Sequence, residues 1–228
     1  MFSKLAVPLV LIVAALGYFL LKPSAQPDTG IKSLALPWQI QVNGDGTASV
    51  FGITPERTTV SELLDLWGED HELAIISDSE DRNGLEIYYS HFNIGPLQAK
   101  LIANVSADSK QLEAMQAAAS SSSYTGSGSR KFLLNENDLK QIQNWVIDSL
   151  SYLPSARLDE GIILDRFGKP QQRIADGEGV EHFLYPEKGL DIVLNTEGKE
   201  LLQYVAPRSF DKLTKPLEAL QEKTAESP

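Results

Sequence analysis

Two five-residue segments, Leu64-Asp65-Leu66-Trp67-Gly68 and Leu164-Asp165-Arg166-Phe167-Gly168, match at a shift of 100 residues. Each reads as the end of a helix, with an aromatic knob and then a glycine stop. A polar turn follows each, then a strand that places an acid before aromatics: Glu86-Ile87-Tyr88-Tyr89 in the first, Glu181-His182-Phe183-Leu184-Tyr185 in the second. The expected unit is therefore a helix followed by a small antiparallel meander, used twice. A meander with one apolar face needs a covering layer, so the two units either cover one another or share a sheet.

The N-terminus constrains location rather than fold. Leu5 to Leu21 carries no charge and lies between Lys4 and Lys22. As a helix those residues span roughly 25 Å, the short end of what crosses a bilayer. Snorkelling lysines lengthen that reach, and Tyr18 and Phe19 suit an interfacial position. The competing reading is a cleaved secretory signal. Its apolar run is usually shorter, and the best cleavage site, Pro23-Ser24-Ala25, places proline where a small residue is wanted. The expectation is a retained single-pass helix in the inner (cytoplasmic) membrane with the bulk of the chain periplasmic. Charges flanking the span are nearly balanced, so the orientation follows from the short N-terminal tail and large following domain.

Composition removes several function classes. The 20 basic residues include Lys4 and Lys22; the remaining 18 face 31 acids, a formal charge of −13 beyond the apolar segment. Such a surface repels phosphate backbones, so no nucleic-acid partner is expected. The chain has no cysteine. Disulfides, thiolate nucleophiles, Cys-ligated metal sites and a lipid-bearing cysteine are thereby excluded.

Along the chain, residues 1–22 form the anchor and 23–35 a turn-rich tether. Residues 36–119 form the first α+β repeat, which opens with a hairpin whose strands, 38–42 and 47–51, flank Asn43-Gly44-Asp45-Gly46. Thr59-Val60-Ser61-Glu62 fits a capping box opening the first helix. Strands follow near 73–77, 85–91 and 97–105, then a helix over 106–119. Ser120 to Ser129 reads as a flexible Ser/Gly-rich linker, bounded at 120–130. The second repeat occupies 131–210: a short strand at 132–134, a helix capped by Asn135 or Asn137, and alternation over 146–153. The second glycine-stopped helix follows, then strands to Val205. Residues 211–228 form a tail in which Phe210, Leu213, Leu217 and Leu220 make an amphipathic helix interrupted at Pro216, and 222–228 are disordered. The fold class is α+β: an N-terminal transmembrane helix followed by two helix-plus-antiparallel-meander repeats.

The helix ends Trp67-Gly68 and Phe167-Gly168, each with an aromatic strand after it, resemble the repeats of the small outer-membrane-assembly lipoproteins (the SmpA/BamE type) and of the β-lactamase inhibitor protein. The likeness covers roughly 56–105 and 156–206, without the lipid-bearing cysteine of the first group or the disulfides of the second. It implies a noncatalytic, protein-binding fold and transfers no binding residue. The whole chain also resembles membrane-anchored proteins of gammaproteobacteria, which adds no function.

Reactive chemistry is sparse. His71, His91 and His182 show neither His-x-His nor His-x-x-x-His spacing, and no Gly-x-Ser-x-Gly elbow marks a nucleophile. No catalytic, cofactor-binding or metal-binding residue is assigned. Trp38, Trp67 and Trp145 sit at apolar-periodic positions, as core residues do. Tyr88 and Tyr89 are neighbours on one strand and point to opposite faces. With Tyr185 and Tyr204 they are the candidate partner contacts, weighed against ordinary edge-covering tyrosines. The leading expectation is a scaffold that binds another envelope protein as adaptor, assembly factor or inhibitor, without a cofactor. Two alternatives stay open: an envelope hydrolase whose acids and histidines converge in three dimensions, and a ligand-sensing accessory domain with an apolar cavity between the repeats.

Overall fold

A computed structural model describes residues 36–78, 83–125, 128–175 and 179–226. The chain divides into two compact units, 1–33 and 34–228. The first lies outside the described residues, and so do the expected anchor and all of its tether. Among the described residues no helix is long and apolar enough to cross a membrane.

The second unit is α+β and mostly antiparallel sheet. It opens with a two-stranded ribbon, β1 (Gln41–Val42) and β2 (Ala48–Ser49), whose turn is held by Asp45 accepting from the Thr47 backbone and hydroxyl. A second tight turn follows, with Val50 and Ile53 exchanging backbone hydrogen bonds around Phe51 and Gly52. Both central residues have positive φ, 56° and 76°, the conformation of a type I′ turn. Helix α1 (Val60–Trp67) has the expected capping box: the Glu62 amide donates to Thr59 Oγ1, and the Thr59 amide to Glu62 Oε2 at 2.8 Å. Strands β3 (Glu72–Ser77), β4 (Asn83–Ile94) and β5 (Leu97–Val105) then form the first meander.

After helix α2 (Ser109–Ala117), the stretch expected to be a flexible linker instead carries strands on both sides of residues 126–127, which lie outside the described residues. Strand β6 (Ser121–Tyr124) pairs with β7 (Arg130–Leu133), and β7 pairs with β3. Serine tracts have no core-forming side chains of their own. Here Phe132, buried and paired with Ile75, anchors β7, and β6 adds to its free edge. Helix α3 (Glu136–Gln141), capped by Asn135, leads through one 3₁₀ turn to β8 (Ile147–Pro154). Helix α4 (Glu160–Phe167) precedes β9 (Gln172–Ala175), β10 (Val180–Tyr185), β11 (Leu190–Asn195) and β12 (Leu201–Val205). The C-terminal segment also departs from expectation. Helix α5 runs from Asp211 to Glu226 straight through Pro216. Pro216, the sixth residue of α5, removes one backbone hydrogen bond in the second turn, a loss offset where Leu213 and Leu217 pack on the sheet.

Among the described residues the large sheet has ten strands in the order β6-β7-β3-β4-β5-β8-β12-β11-β10-β9. β8, which sequence places in the second half, completes the first meander by pairing with β5. Around the central β8–β12 pair the order is the same in both directions, since β5-β4-β3 and β11-β10-β9 extend outward alike. The register obeys the same rule. One cross-strand row reads Glu72, Tyr88, Ile102, Ser151, Gln203, Asp191, Leu184, Gln172. Ser151 and Gln203 face each other at its centre, Tyr152 opposes Leu202, and Leu150 opposes Tyr204. The helix ends match too. Gly68 and Gly168 have φ 79° and 82° with ψ −172° and −171°, and their carbonyls accept hydrogen bonds from Tyr89 and Tyr185.

One face of this sheet carries the main core. Leu63 of α1 and Ile163 and Phe167 of α4 pack there with Ile87, Leu101, Leu150, Phe183, Ile192 and Leu202. Phe51 is buried at the centre, stacked on Tyr152 at 5.2 Å and edge-on to Tyr204 at 5.6 Å. The opposite face is treated unequally. Over the second half, Phe210, Leu213 and Leu217 cover Ile174, Leu184 and Val205. Over the first half no helix lies, among the described residues.

Candidate interaction surface

That uncovered half is built by strand alternation. In β4, Leu85, Ile87 and Tyr89 are buried on the core face, so Glu86 and Tyr88 point the other way. The cross-strand partners of those two residues fix the rest: Glu72 and Ala74 on β3, Ile102 and Asn104 on β5. Lys100 and Leu153 form the next pair outward. All of these but Asn104, which donates to Ser149, line with the β6–β7 hairpin an open trough of about 830 Å³, with Tyr124, Thr125, Ser129 and Lys131 along one rim. Tyr124 is 74% exposed.

The surface is a mixture of apolar and charged groups. Tyr88, Ile76, Ile102 and Leu153 are half-buried with nothing packed over them among the described residues. Lys131 donates to Glu72 at 2.6 Å across β7 and β3. Glu86 makes no hydrogen bond or ion pair among the described residues, and burial against its neighbours raises its carboxyl pKa. An unpaired, partly desolvated acid between apolar side chains favours a cation above it.

Of the four candidate tyrosines only Tyr88 belongs to this surface. Tyr89, Tyr185 and Tyr204 are each 3% exposed or less, which corrects their expected role as partner contacts. The reason is register: all three fall on the core face, and each hydroxyl is satisfied there. Tyr89 and Tyr185 donate to the Gly68 and Gly168 carbonyls at 3.2 and 2.8 Å, and Tyr204 donates to the Pro37 carbonyl at 3.0 Å. Burial pushes the Tyr185 phenol up to about 12 and raises Tyr89 and Tyr204 as well. The residues that sequence reading passed over are Ile76, Ile102, Leu153, Glu86, Lys100 and Lys131. A signal for two of them existed: Ile76 directly follows Ile75, and Ile102 interrupts the polar set Gln98, Lys100, Asn104.

The three histidines occupy separate settings. His71 lies against the Tyr89 ring, with its Nδ1 buried and without a partner among the described residues. His91 is exposed within β4 and contacts Ser90. His182 is mostly covered and sits 2.7 Å from Asp191, a buried carboxylate whose other oxygen has no partner among the described residues. Among the described residues no three His, Asp or Glu side chains are close enough to hold a metal ion. The three tryptophans are partly buried against the core, as expected. Trp38 meets Phe167 edge-on at 6.3 Å, and Arg166 lies over its ring. The apolar recess bounded by Trp38, Tyr152, Phe167 and Leu202 measures about 50 Å³, far below the roughly 300 Å³ of a metabolite pocket.

Fold and surface together define an α+β protein on one antiparallel sheet, with half of one sheet face open. No protein-family model, curated protein or solved structure matches the chain.

Proposed function

We propose that this chain is a noncatalytic scaffold that binds another envelope protein through the open half of its sheet. The two halves, each a helix with a four-strand meander, are read as repeats of one unit. Residues 1–22 hold the scaffold in the inner membrane, with the bulk of the chain periplasmic. A partner-binding role is supported above all by the unequal covering of two register-equivalent faces. The second is sealed by α5, while the first leaves Tyr88, Ile76, Ile102 and Leu153 open. Apolar groups clustered with charges on one concave face are what a protein interface of ordinary composition contains.

The test has two arms. A reporter enzyme fused at the C-terminus and active only after export must be active in cells. Affinity capture of the full chain from detergent-solubilised membranes must then return a specific protein that Ile102→Asp loses and wild type keeps, with the melting temperature unchanged. A cytosolic reporter result removes the location. Repeated capture without a specific protein, or capture indifferent to Ile102→Asp, removes the binding role.

A further inference from the structure

We propose that the open half of the sheet is a socket for one amphipathic helix of the partner protein, seated as α5 is seated on the other half and carrying a basic residue that reaches Glu86. This rests on the reading of that face as a binding surface and names what it binds. The register supplies the correspondence. Through the shared rows, Ile174 answers to Ala74, Leu184 to Tyr88 and Val205 to Leu153. Those three residues of the second half are the ones α5 covers, and all three counterparts line the trough. The protein therefore contains its own example of how such a face is closed. Phe210, Leu213 and Leu217 do it with apolar residues at i, i+3 and i+7, the stripe of a surface helix.

Size and backbone chemistry favour a helix over an extended peptide. Four strands at spacings of about 4.8 Å are roughly 14 Å across, room for one helix 10–12 Å wide and not for two. β3, β4, β5 and β8 are all interior strands, so their backbone groups are already paired and cannot take up a further strand. The floor these four strands make offers only side chains, the free backbone edge lying at β6 on the rim, and a helix presents side chains without unsatisfied backbone. Charge selects within that class. Lys212 of α5 bridges two acids of the first half, Glu56 ahead of α1 and Asp148 of β8, at 3.1 and 2.7 Å, so the covering helix already pairs a basic residue with acids there. On the open half Glu86, without a hydrogen bond or ion pair among the described residues, stands where His182 stands in the other row, and Lys100 also lines the trough. A helix with a lysine or arginine toward Glu86 satisfies the acid as it closes the trough.

The experiment places a photoreactive residue at position 102 of the full chain in membranes of its source cell and maps the crosslinked peptide. The expected adduct is a single helical segment of another protein, with apolar residues at i, i+3 and i+7 and a basic residue beside them. Glu86→Lys should lower the adduct yield about tenfold, Glu86→Gln less, and reversing the partner's basic residue to Glu should restore it. Both variants must melt with the parent. An adduct to an extended segment of another protein, or yields indifferent to Glu86, overturns the helix and leaves the binding role standing. An adduct to residues 1–33, to a second copy or to lipid, or no adduct, overturns both.

Discussion

Phe51 is the residue whose replacement probes the packing most sharply, because its side chain and its backbone predict opposite preferences. Its ring is fully buried and meets three others: Tyr152 at 5.2 Å, Phe92 at 5.4 Å and Tyr204 at 5.6 Å. Removing a buried phenylalanine ring costs about 3–5 kcal/mol, and alanine and glycine both remove it. The backbone then separates the two. Phe51 holds φ 56°, a conformation that costs a residue with a Cβ about 1–2 kcal/mol and glycine almost nothing. Elsewhere glycine is the worse choice by about 0.5–1 kcal/mol, through the freedom it has when unfolded. Phe51→Gly should therefore be more stable than Phe51→Ala by roughly half to one kcal/mol, with both far below the parent. Urea titration of the full chain in non-ionic detergent, followed by tryptophan fluorescence, reads this directly from midpoints at equal slope. An alanine variant as stable as the glycine variant would refute the role of the turn. A loss under about 1 kcal/mol in either would refute the ring's place in the core.

Three further outcomes are expected. Tyr89→Phe and Tyr185→Phe each lose a hydrogen bond to a helix-end carbonyl and should each cost about 1 kcal/mol. They sit in different halves, so the double variant should be additive within about 0.5 kcal/mol by urea midpoint. Glu56 titrates about 2, below its ordinary 4.5: desolvation opposes the charge, but hydrogen bonds from Ser209, Arg208 and Lys212 outweigh it. Its contribution is thus present above pH 4.5 and lost as pH falls toward 2, and Glu56→Gln should flatten that part of a stability-against-pH curve. Gly189 has φ 64°, and a Cβ there would lie 2.1 Å from the Val205 carbonyl oxygen. Gly189→Ala should cost more than about 3 kcal/mol, read as a collapse of the thermal transition beside a Gly44→Ala control, where a Cβ meets nothing within 4 Å and the protein stays folded.

Much of the architecture was legible because local chemistry and tertiary context agreed. The capping box at Thr59, the glycine stops at 68 and 168 and the strand at Leu97–Val105 all follow from side-chain chemistry within a few residues. What was missed depended on partners distant in sequence. Ser121–Tyr124 becomes a strand only because β7 offers an edge, and β8 joins the first half only through pairing with β5. The candidate surface was less legible still. Alternation showed that Tyr88 and Tyr89 part company, but not which of them faces the core. Tyr89 keeps phase with the buried Leu85 and Ile87, and the distant Gly68 carbonyl accepts its hydroxyl there. Tyr204 was misread for a similar reason, its hydroxyl partner being Pro37, near the opposite end of the folded unit.

The palindromic register around Ser151 and Gln203 has a consequence for how this chain assembles. An edge that matches its relative in the same molecule is also close to matching itself in a neighbouring one. Separated halves would accordingly tend to pair like with like, β12 against β12 of another copy. Joining them in one polypeptide raises the local concentration of the correct edge far above that of any stranger, so the connection through α4 acts as a guard against exchange between molecules.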